Sequence, residues 1–445
     1  MTSQSASQPT SERLAAALEP ALGAPVTVES LQRLTGGASR ETWSFSANGE
    51  DFILRRDPPG RENAPHVMRL EADAMRACAS AGLSVPEVIF HDDGTFLGTA
   101  GLVMRRVPGE TIARRILRDE TFTRARRVLV GELGTFLAGL HAIDPSEVPG
   151  VEEEAGLESL WATYQGFGDS SPTFEKAYRW LVDNRPAGAA DTLVHGDFRL
   201  GNLIVGPAGL EAVIDWERVH LGNPLEDLAW LCLKAWRFGE RPEAAGLGTV
   251  DELVAAYEGA GGRTVDRDEL HWWLVERTLE WGIGCIAQAW FHISGAVRSV
   301  ELAAVGRRAA EQEWDLIELL APDAWGAALA SPPPDDLPDD SSRYGRPTAR
   351  ELLSAVRGFL TDDAMARVDP GLAYQLRVSA NVLAAVEREL ALTPVDHPGD
   401  DWRALALEVR DRLLVANPKH LGRHRPTPPI WGGSVSDSGT TQPQI

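Results

Sequence analysis

Cysteine is scarce in this chain. Its three residues, Cys78, Cys232 and Cys285, are far apart, odd in number and outside any Cys-x-x-Cys pattern. That argues against a disulfide framework or a cysteine-built zinc site and marks them as small buried hydrophobes in a reducing compartment. His420 and His424 have no matching ligand pair nearby, so no zinc site is expected there either. Positive charge is also short: 43 Lys and Arg against 65 Asp and Glu give a net charge of −22. Nucleic acid and anionic membranes both need a basic face, so neither is an expected partner. The acidity permits a cationic substrate without requiring one, and solubility explains it equally well. Long apolar runs are missing too, since no stretch reaches the roughly 20 residues of a spanning helix. Met1 to Thr10 is polar, with neither a basic start nor an apolar run, so it does not read as a signal peptide. A cytoplasmic protein is expected.

What is present is ordinary globular material. Hydrophobic residues make up 43% and charged residues 24% of 445 residues, too long a chain for one core and enough for two or three domains. Residues 1–25 read as a polar lead with a short helix capped by Ser11. From 26 to 106 the pattern is that of a small antiparallel sheet with one helix. Asn48-Gly49 between apolar stretches predicts a hairpin of 42–47 with 51–56. A helix follows around 67–81, then strands near 86–91 and 101–106. Residues 107–330 are mainly helical, with helices over 122–142, 225–236, 250–259, 268–293 and 297–320, interrupted by short strands in 193–215. The Pro- and Asp-rich run 331–346 reads as an extended linker. A three-helix module over 347–425 opens with the capping box Thr348-x-x-Glu351, and 426–445 reads as a disordered tail.

The chemistry concentrates in one segment: Leu193-Val-His-Gly-Asp-Phe-Arg-Leu-Gly-Asn-Leu-Ile-Val205, a Gly206–Gly209 turn, then Leu210-Glu-Ala-Val-Ile-Asp-Trp-Glu217. Phosphoryl transfer needs a carboxylate to take the proton of an attacking hydroxyl, and hard oxygen ligands to hold Mg²⁺ against nucleotide phosphates. Asp197 lies in a loop between apolar segments, and Asn202 follows at the D-x-x-x-x-N spacing of kinase catalytic loops. Residues 203–205 and 210–214 are short apolar strands joined by a turn. In such a hairpin the residue before the first strand and the residue after the second emerge at one end. Those residues are Asn202 and Asp215, an amide oxygen and a carboxylate placed to share a metal. A lone Asp-x4-Asn is mostly chance; the combination with His-Gly-Asp, the hairpin and the strand ending in Asp is not.

These residues resemble the aminoglycoside phosphotransferase and choline kinase superfamily over residues 20 to 325. The resemblance implies an α+β fold: a bilobal protein-kinase-like arrangement with a small antiparallel-sheet N-lobe and a mainly helical C-lobe, here followed by the C-terminal three-helix module. It also implies an ATP- and Mg²⁺-dependent small-molecule kinase, with Asp197 as catalytic base, Asn202 and Asp215 as Mg²⁺ ligands, and His195 as a buttress. Gly36, Gly37 and Ser39 sit where such folds cover the nucleotide phosphates with backbone N–H groups. In the strand Phe52-Ile-Leu-Arg-Arg56, Ile53 and Arg55 share a face. Ile53 can roof the base, while Arg55 stands where kinase-like folds carry a phosphate-binding lysine, with Glu71 as its natural partner. Met104, Arg105 and Arg106 fall at the expected inter-lobe hinge. Asp227, opening a helix, is implied to brace the catalytic loop, and Glu217 is a neighbouring carboxylate.

The C-lobe is rich in tryptophan (Trp230, Trp236, Trp272, Trp273, Trp281, Trp290), at helical spacing more often core than pocket. Glu276, Glu280 and His292 on the same stretch are candidates to touch an acceptor. The expected acceptor is a hydroxyl of a small molecule. A hydroxyacyl-type metabolite is favoured over an aminoglycoside, because residues 52–60 resemble the kinase branch associated with acyl-CoA dehydrogenases and 347–418 resembles a helical domain fused to it. The alternatives are a nucleotide-binding pseudokinase, which Arg55 favours, and a scaffold.

Overall fold

The computed structural model describes residues 10–34, 40–58, 65–188, 190–337 and 346–422. Among these, five strands form the N-terminal sheet: β1 (Val28–Arg33), β2 (Glu41–Ala47), β3 (Glu50–Arg56), β4 (Val88–Asp93) and β5 (Ala100–Arg105), all antiparallel in the order β1-β2-β3-β5-β4. The β2–β3 hairpin closes through Asn48 (φ 51°) and Gly49 (φ 84°). Two consecutive positive φ angles match the strand twist, and Asn-Gly adopts them cheaply. Alternation then sorts the sheet into two faces. Trp43, Phe45, Phe52 and Leu54 point outward, where α1 (Ser11–Leu22) covers them with Leu14 and Leu18. On the other face α2 (Pro65–Ser80) packs Met68, Ala72 and Met75 with Leu102 and Met104, within the same core that continues into the second lobe. Arg55 lies on this second face, toward the cleft. Removing the Phe52 ring, stacked 5.5 Å from Phe45, would cost about 3–5 kcal/mol.

The chain leaves β5 and bridges directly to the second lobe, where Glu110 exchanges two backbone hydrogen bonds of 3.0 Å with Val205. The helical lobe comprises α3 (Ala113–Arg118), α4 (Thr123–His141), α5 (Leu157–Gly166), α6 (Pro172–Asp183), α7 (Leu225–Cys232), α8 (Val250–Gly259), α9 (Arg267–Ile293), α10 (Val300–Gly306), α11 (Ala309–Leu320) and α12 (Pro322–Ala330). Between α6 and α7 lie four short strands: β6 (Thr192–Val194) pairs with β9 (His220–Gly222), and β7 (Leu203–Val205) with β8 (Leu210–Val213). The core under them is Phe136, Leu137, Leu140, Phe198, Trp216 and Leu228. The helix expected over 297–320 is broken: α10 ends at Gly306 and α11 starts at Ala309. Gly306 allows close approach to α9, since a Cβ there would lie 2.4 Å from that of Ala289.

Helices α13 (Ala349–Gly358), α14 (Pro370–Glu389), α15 (Trp402–Ala416) and α16 (Pro418–Gly422) follow. The capping box is present: Glu351 N donates to Thr348 Oγ1 (3.2 Å) and Thr348 N to Glu351 Oε2 (2.6 Å). Helix α15 buries Ala406, Val409 and Leu413 against Trp314, Ile317 and Trp325 of α11 and α12. The stripe Leu352, Val356 and Phe359 remains exposed. His420 is buried, with Nε2 3.0 Å from Asp315 Oδ1. All three cysteines are buried and unpaired by disulfides. Among the described residues no helix is long and apolar enough to cross a membrane.

Candidate active site

Strand β6 delivers His195-Gly196-Asp197 into the cleft, and Asp227 fixes the turn. Its buried carboxylate accepts the N–H groups of His195 (2.8 Å) and Gly196 (3.0 Å), with His141 Nε2 at 3.3 Å. Burial alone would raise the Asp227 pKa, but these donors outweigh it and hold the group below the usual carboxylate range. Gly196 has φ 76°, and a Cβ on it would lie 2.5 Å from Arg218 O. Only glycine fits this position. His195 is fully buried. Its Nδ1 accepts from Asp197 N (3.2 Å), and the opposite nitrogen then donates to Ile214 O (3.1 Å), which knits the loop to the strand end.

The Asp197 carboxylate is held from three sides. Oδ1 accepts from Trp230 Nε1 (2.7 Å) and Arg199 Nε (2.9 Å), and Oδ2 accepts from Asn202 Nδ2 (2.7 Å). The same amide nitrogen also donates to Asp197 O (2.9 Å). The β7–β8 hairpin brings Asn202 and Asp215 to one end, where Ile214 N donates to Asn202 O at 2.9 Å. Asp215 itself has φ 71°, an unfavourable angle for a residue with a side chain and a feature that gathers at functional sites. The amide nitrogen of Asn202 is engaged, so its side-chain carbonyl oxygen and the Asp215 carboxylate are the hard oxygen donors this end can present to a divalent cation.

From the opposite lobe, Arg55 Nη2 donates to Asp215 Oδ1 at 2.5 Å, and its Nη1 contacts Glu71 Oε1. Arg40, which sequence reasoning did not single out, contacts Glu71 Oε2 and lies 3.5 Å from Asp57 and 3.7 Å from Glu217. Arg55 also lies 3.7 Å from Glu217. Two guanidinium groups thus face four carboxyls, leaving an excess of negative charge in the cleft that suits a dication. Burial works against the charge on Arg55, but Glu71 and Asp215 raise its pKa overall. Burial likewise works against ionised Asp215, and Arg55 outweighs it, so that carboxylate stays below its ordinary range. For Glu217, burial and the nearby Asp215 prevail and push the carboxyl up.

Gly36, Gly37 and Ser39 lie outside the described residues. Met104 is buried in the sheet. The backbone N–H groups of Arg105 and Arg106 are engaged with Glu87 O and Asp51 O, each at 2.9 Å. Neither N–H is free to donate to a base, so within the expected hinge, Met104 to Val107, those two positions could offer a base only their carbonyl oxygens. The Arg105 side chain pairs with Glu50 and Glu87. Trp230, Trp236 and Trp272 are buried, whereas Trp290 is 43% exposed. Glu276 and Glu280 line a C-lobe cavity, but His292 caps a turn by accepting from Ser299 N (3.1 Å). Sequence reasoning also missed Arg199 and Trp230 as partners of Asp197. Glu154, His220 and Glu226 have ligand atoms within 4.8 Å of one another. Arg277 already answers that charge, 3.2 Å from Glu226 and 3.4 Å from Glu154.

Residues 30–273 match the phosphotransferase enzyme family. Acyl-CoA dehydrogenase family member 11 of Homo sapiens is 31% identical over 247 residues, 50% of this chain and 31% of that protein. Acyl-CoA dehydrogenase family member 10 of Mus musculus is 31% identical over 209 residues, 44% of this chain and 20% of that protein. The match thus spans a third or less of these relatives' own length. A crystal structure from Ralstonia eutropha, classed with the aminoglycoside phosphotransferases, aligns with a TM-score of 0.57 at 22% identity, over 69% of this chain and 98% of that one. At that identity the likeness is one of fold: two lobes in the protein-kinase-like arrangement.

Proposed function

Since the chain belongs to the phosphotransferase enzyme family, we propose that it transfers the γ-phosphoryl group of ATP to a hydroxyl of a small molecule. The observation that carries this reading is the convergence of Asp197, Asn202 and Asp215 at the mouth of the β7–β8 hairpin, facing Arg55 and Glu71 of the other lobe. Asp197 orients the acceptor hydroxyl and takes its proton as the oxygen bonds to the γ-phosphorus and the bond to the ADP oxygen breaks. Trp230, Arg199 and Asn202 keep that carboxylate in one orientation. Asn202 and Asp215 would hold Mg²⁺, which when bound neutralises charge on the phosphates. Arg55, braced by Glu71, would contact the nucleotide phosphates in place of a lysine, and a guanidinium can do so with two parallel donors.

For the acceptor, a hydroxyacyl-type metabolite is favoured over an aminoglycoside, and the acyl-CoA dehydrogenase names of two relatives are the support for an acyl compound. The test is ADP release across a panel of hydroxyacyl thioesters and kanamycin-like sugars. Wild type should release ADP with an acceptor of the first kind. Asp197→Ala should abolish release while ATP binding persists. Equal rates for wild type and variant would overturn the catalytic reading and leave the second one, a nucleotide-binding pseudokinase, for which the replacement of lysine by Arg55 is the specific support.

A further inference from the structure

The C-lobe contains a cavity of about 410 Å³. Its apolar walls come from Leu157 and Leu160 of α5, Leu221 of β9, and Trp272 and Trp273 of α9. Its floor is densely charged, yet the charges are closed on themselves around Arg277, which is 6% exposed. Nη1 of Arg277 lies 2.7 Å from Glu280 and 3.4 Å from Glu154, Nη2 lies 3.2 Å from Glu226, and Nε lies 2.7 Å from Glu276. Arg218 adds a second contact to Glu154 (2.8 Å) and one to Glu280, and His220 Nε2 lies 3.0 Å from Glu226. A polycation entering here would find four of the five lining carboxyls, Glu153 excepted, already beside a cation, and displacing a buried guanidinium leaves that charge unpaired, at large cost.

Glu276 differs from its neighbours. It is 4% exposed, and Oε2, although near Arg277 Nε, is off the line of the N–H and makes no hydrogen bond. Burial, helped by Glu280, Glu226 and Glu154, outweighs the pull of Arg277 and raises this carboxyl well above its ordinary range. A neutral carboxyl at the wall can donate a hydrogen bond to an uncharged ligand. Two side chains, Arg218 and Trp230, connect the cavity lining to Asp197. Arg218, which touches lining residues Glu154 and Glu280, lies 5.5 Å from the centre of the Trp230 ring, and Trp230 Nε1 donates to Asp197.

We propose that this cavity receives the body of the acceptor, and that Arg277 is a specificity-determining residue. By tying four carboxyls together, Arg277 makes the chamber fit an uncharged hydroxyl compound with an apolar body and exclude polycations. The proposal rests on the phosphotransferase reading for its use of the hydroxyl, but binding to the cavity is measured separately from turnover. The probes are hydroxyacyl N-acetylcysteamine thioesters of increasing chain length, which are uncharged, and kanamycin as the polycation. Calorimetry on the full-length protein reports binding, and ADP release reports transfer.

Wild type should bind the thioesters and not kanamycin. Leu160→Trp, which fills the cavity, should weaken thioester binding at least about tenfold and raise KM with little change in kcat. Arg277→Met, which takes from Glu276 its cation and leaves Glu154, Glu226 and Glu280 with Arg218 or His220 alone, should gain kanamycin binding at least about tenfold over wild type. If Arg277→Met does not fold, Leu160→Trp decides. The proposal is overturned if no thioester binds, if wild type binds kanamycin as well as the thioesters, if folded Arg277→Met gains no kanamycin binding, or if Leu160→Trp leaves thioester binding unchanged. Thioester binding without ADP release would instead refute the phosphotransferase reading and leave the cavity assignment standing.

Discussion

Asp227→Asn should detach stability from catalysis in a measurable way. The carboxylate is fully buried and receives two main-chain N–H groups of the loop that carries Asp197, at 2.8 and 3.0 Å. Asparagine has nearly the same shape, but only one of its two polar atoms can accept. One N–H keeps a neutral acceptor, while the other faces an NH2 group. Losing a hydrogen bond to a charged group costs about 1.5–3 kcal/mol, and a stranded buried N–H about 1–3 kcal/mol. These overlap, so a total of about 2–4 kcal/mol is expected. Against a usual stability of about 5–15 kcal/mol, the variant still folds. The loop it holds is short, and a shift of about 1 Å at the reacting carboxylate is worth about a hundredfold in rate. Urea unfolding followed by tryptophan fluorescence should show a lower midpoint with an unchanged slope. ADP release by the folded variant should show kcat down about a hundredfold. Gly196→Ala approaches the same loop from the other side, through the 2.5 Å clash with Arg218 O, and should lower kcat in the same way. If Asp227→Asn is destabilised as expected but keeps its full kcat, the brace is structural and the account of the loop is wrong.

Two further substitutions probe the charge networks. Arg55→Met should lower ADP release by at least about a hundredfold, the usual loss for one oriented donor. Arg55→Lys, which keeps the charge but loses the two-pronged contact to Glu71 and Asp215, should retain part of the activity; a fully active Arg55→Met would remove Arg55 from the phosphate site. His220 tests the cavity floor through pH. Burial tends to lower its pKa, but the hydrogen bond and charge of Glu226 prevail and raise it above 6.5. A raised folded pKa contributes stability that is fully present below the unfolded value and is lost as pH climbs through the folded one. His220→Gln should therefore cost about 1–3 kcal/mol at pH 6 and less at pH 9, as read by urea unfolding at both. A gap that widens with pH would reverse the assignment.

What could be read from sequence was whatever short-range geometry controls. Asn202 and Asp215 were legible as neighbours because four residues of turn separate two apolar strands, and pairing admits one result. The β2–β3 hairpin was legible for the same reason, and with it the face shared by Ile53 and Arg55. The cavity floor was not. Glu154, His220, Glu226 and Arg277 come from a loop, a strand and two helices, each residue reading locally as an ordinary surface charge, and only the packing of α9 on α7 turns them inward. Arg40 was overlooked because its neighbour Glu71 becomes a shared partner only after α2 docks on the sheet.

Arg55 was legible as a departure, and its weight changes once the whole chain is considered. Lysine occurs three times, at positions 176, 234 and 419, and the other forty basic residues are arginine. An arginine at position 55 follows the habit of the entire chain rather than marking a decayed site. A decayed site would also be expected to lose its partners. Arg55 instead has 14% of its side chain exposed and reaches both Glu71 in its own lobe and Asp215 across the cleft. Burying a guanidinium between two carboxylates is costly unless the geometry is kept. The meeting of Arg55 with both Glu71 and Asp215 therefore supports the proposed phosphate contact over a relic.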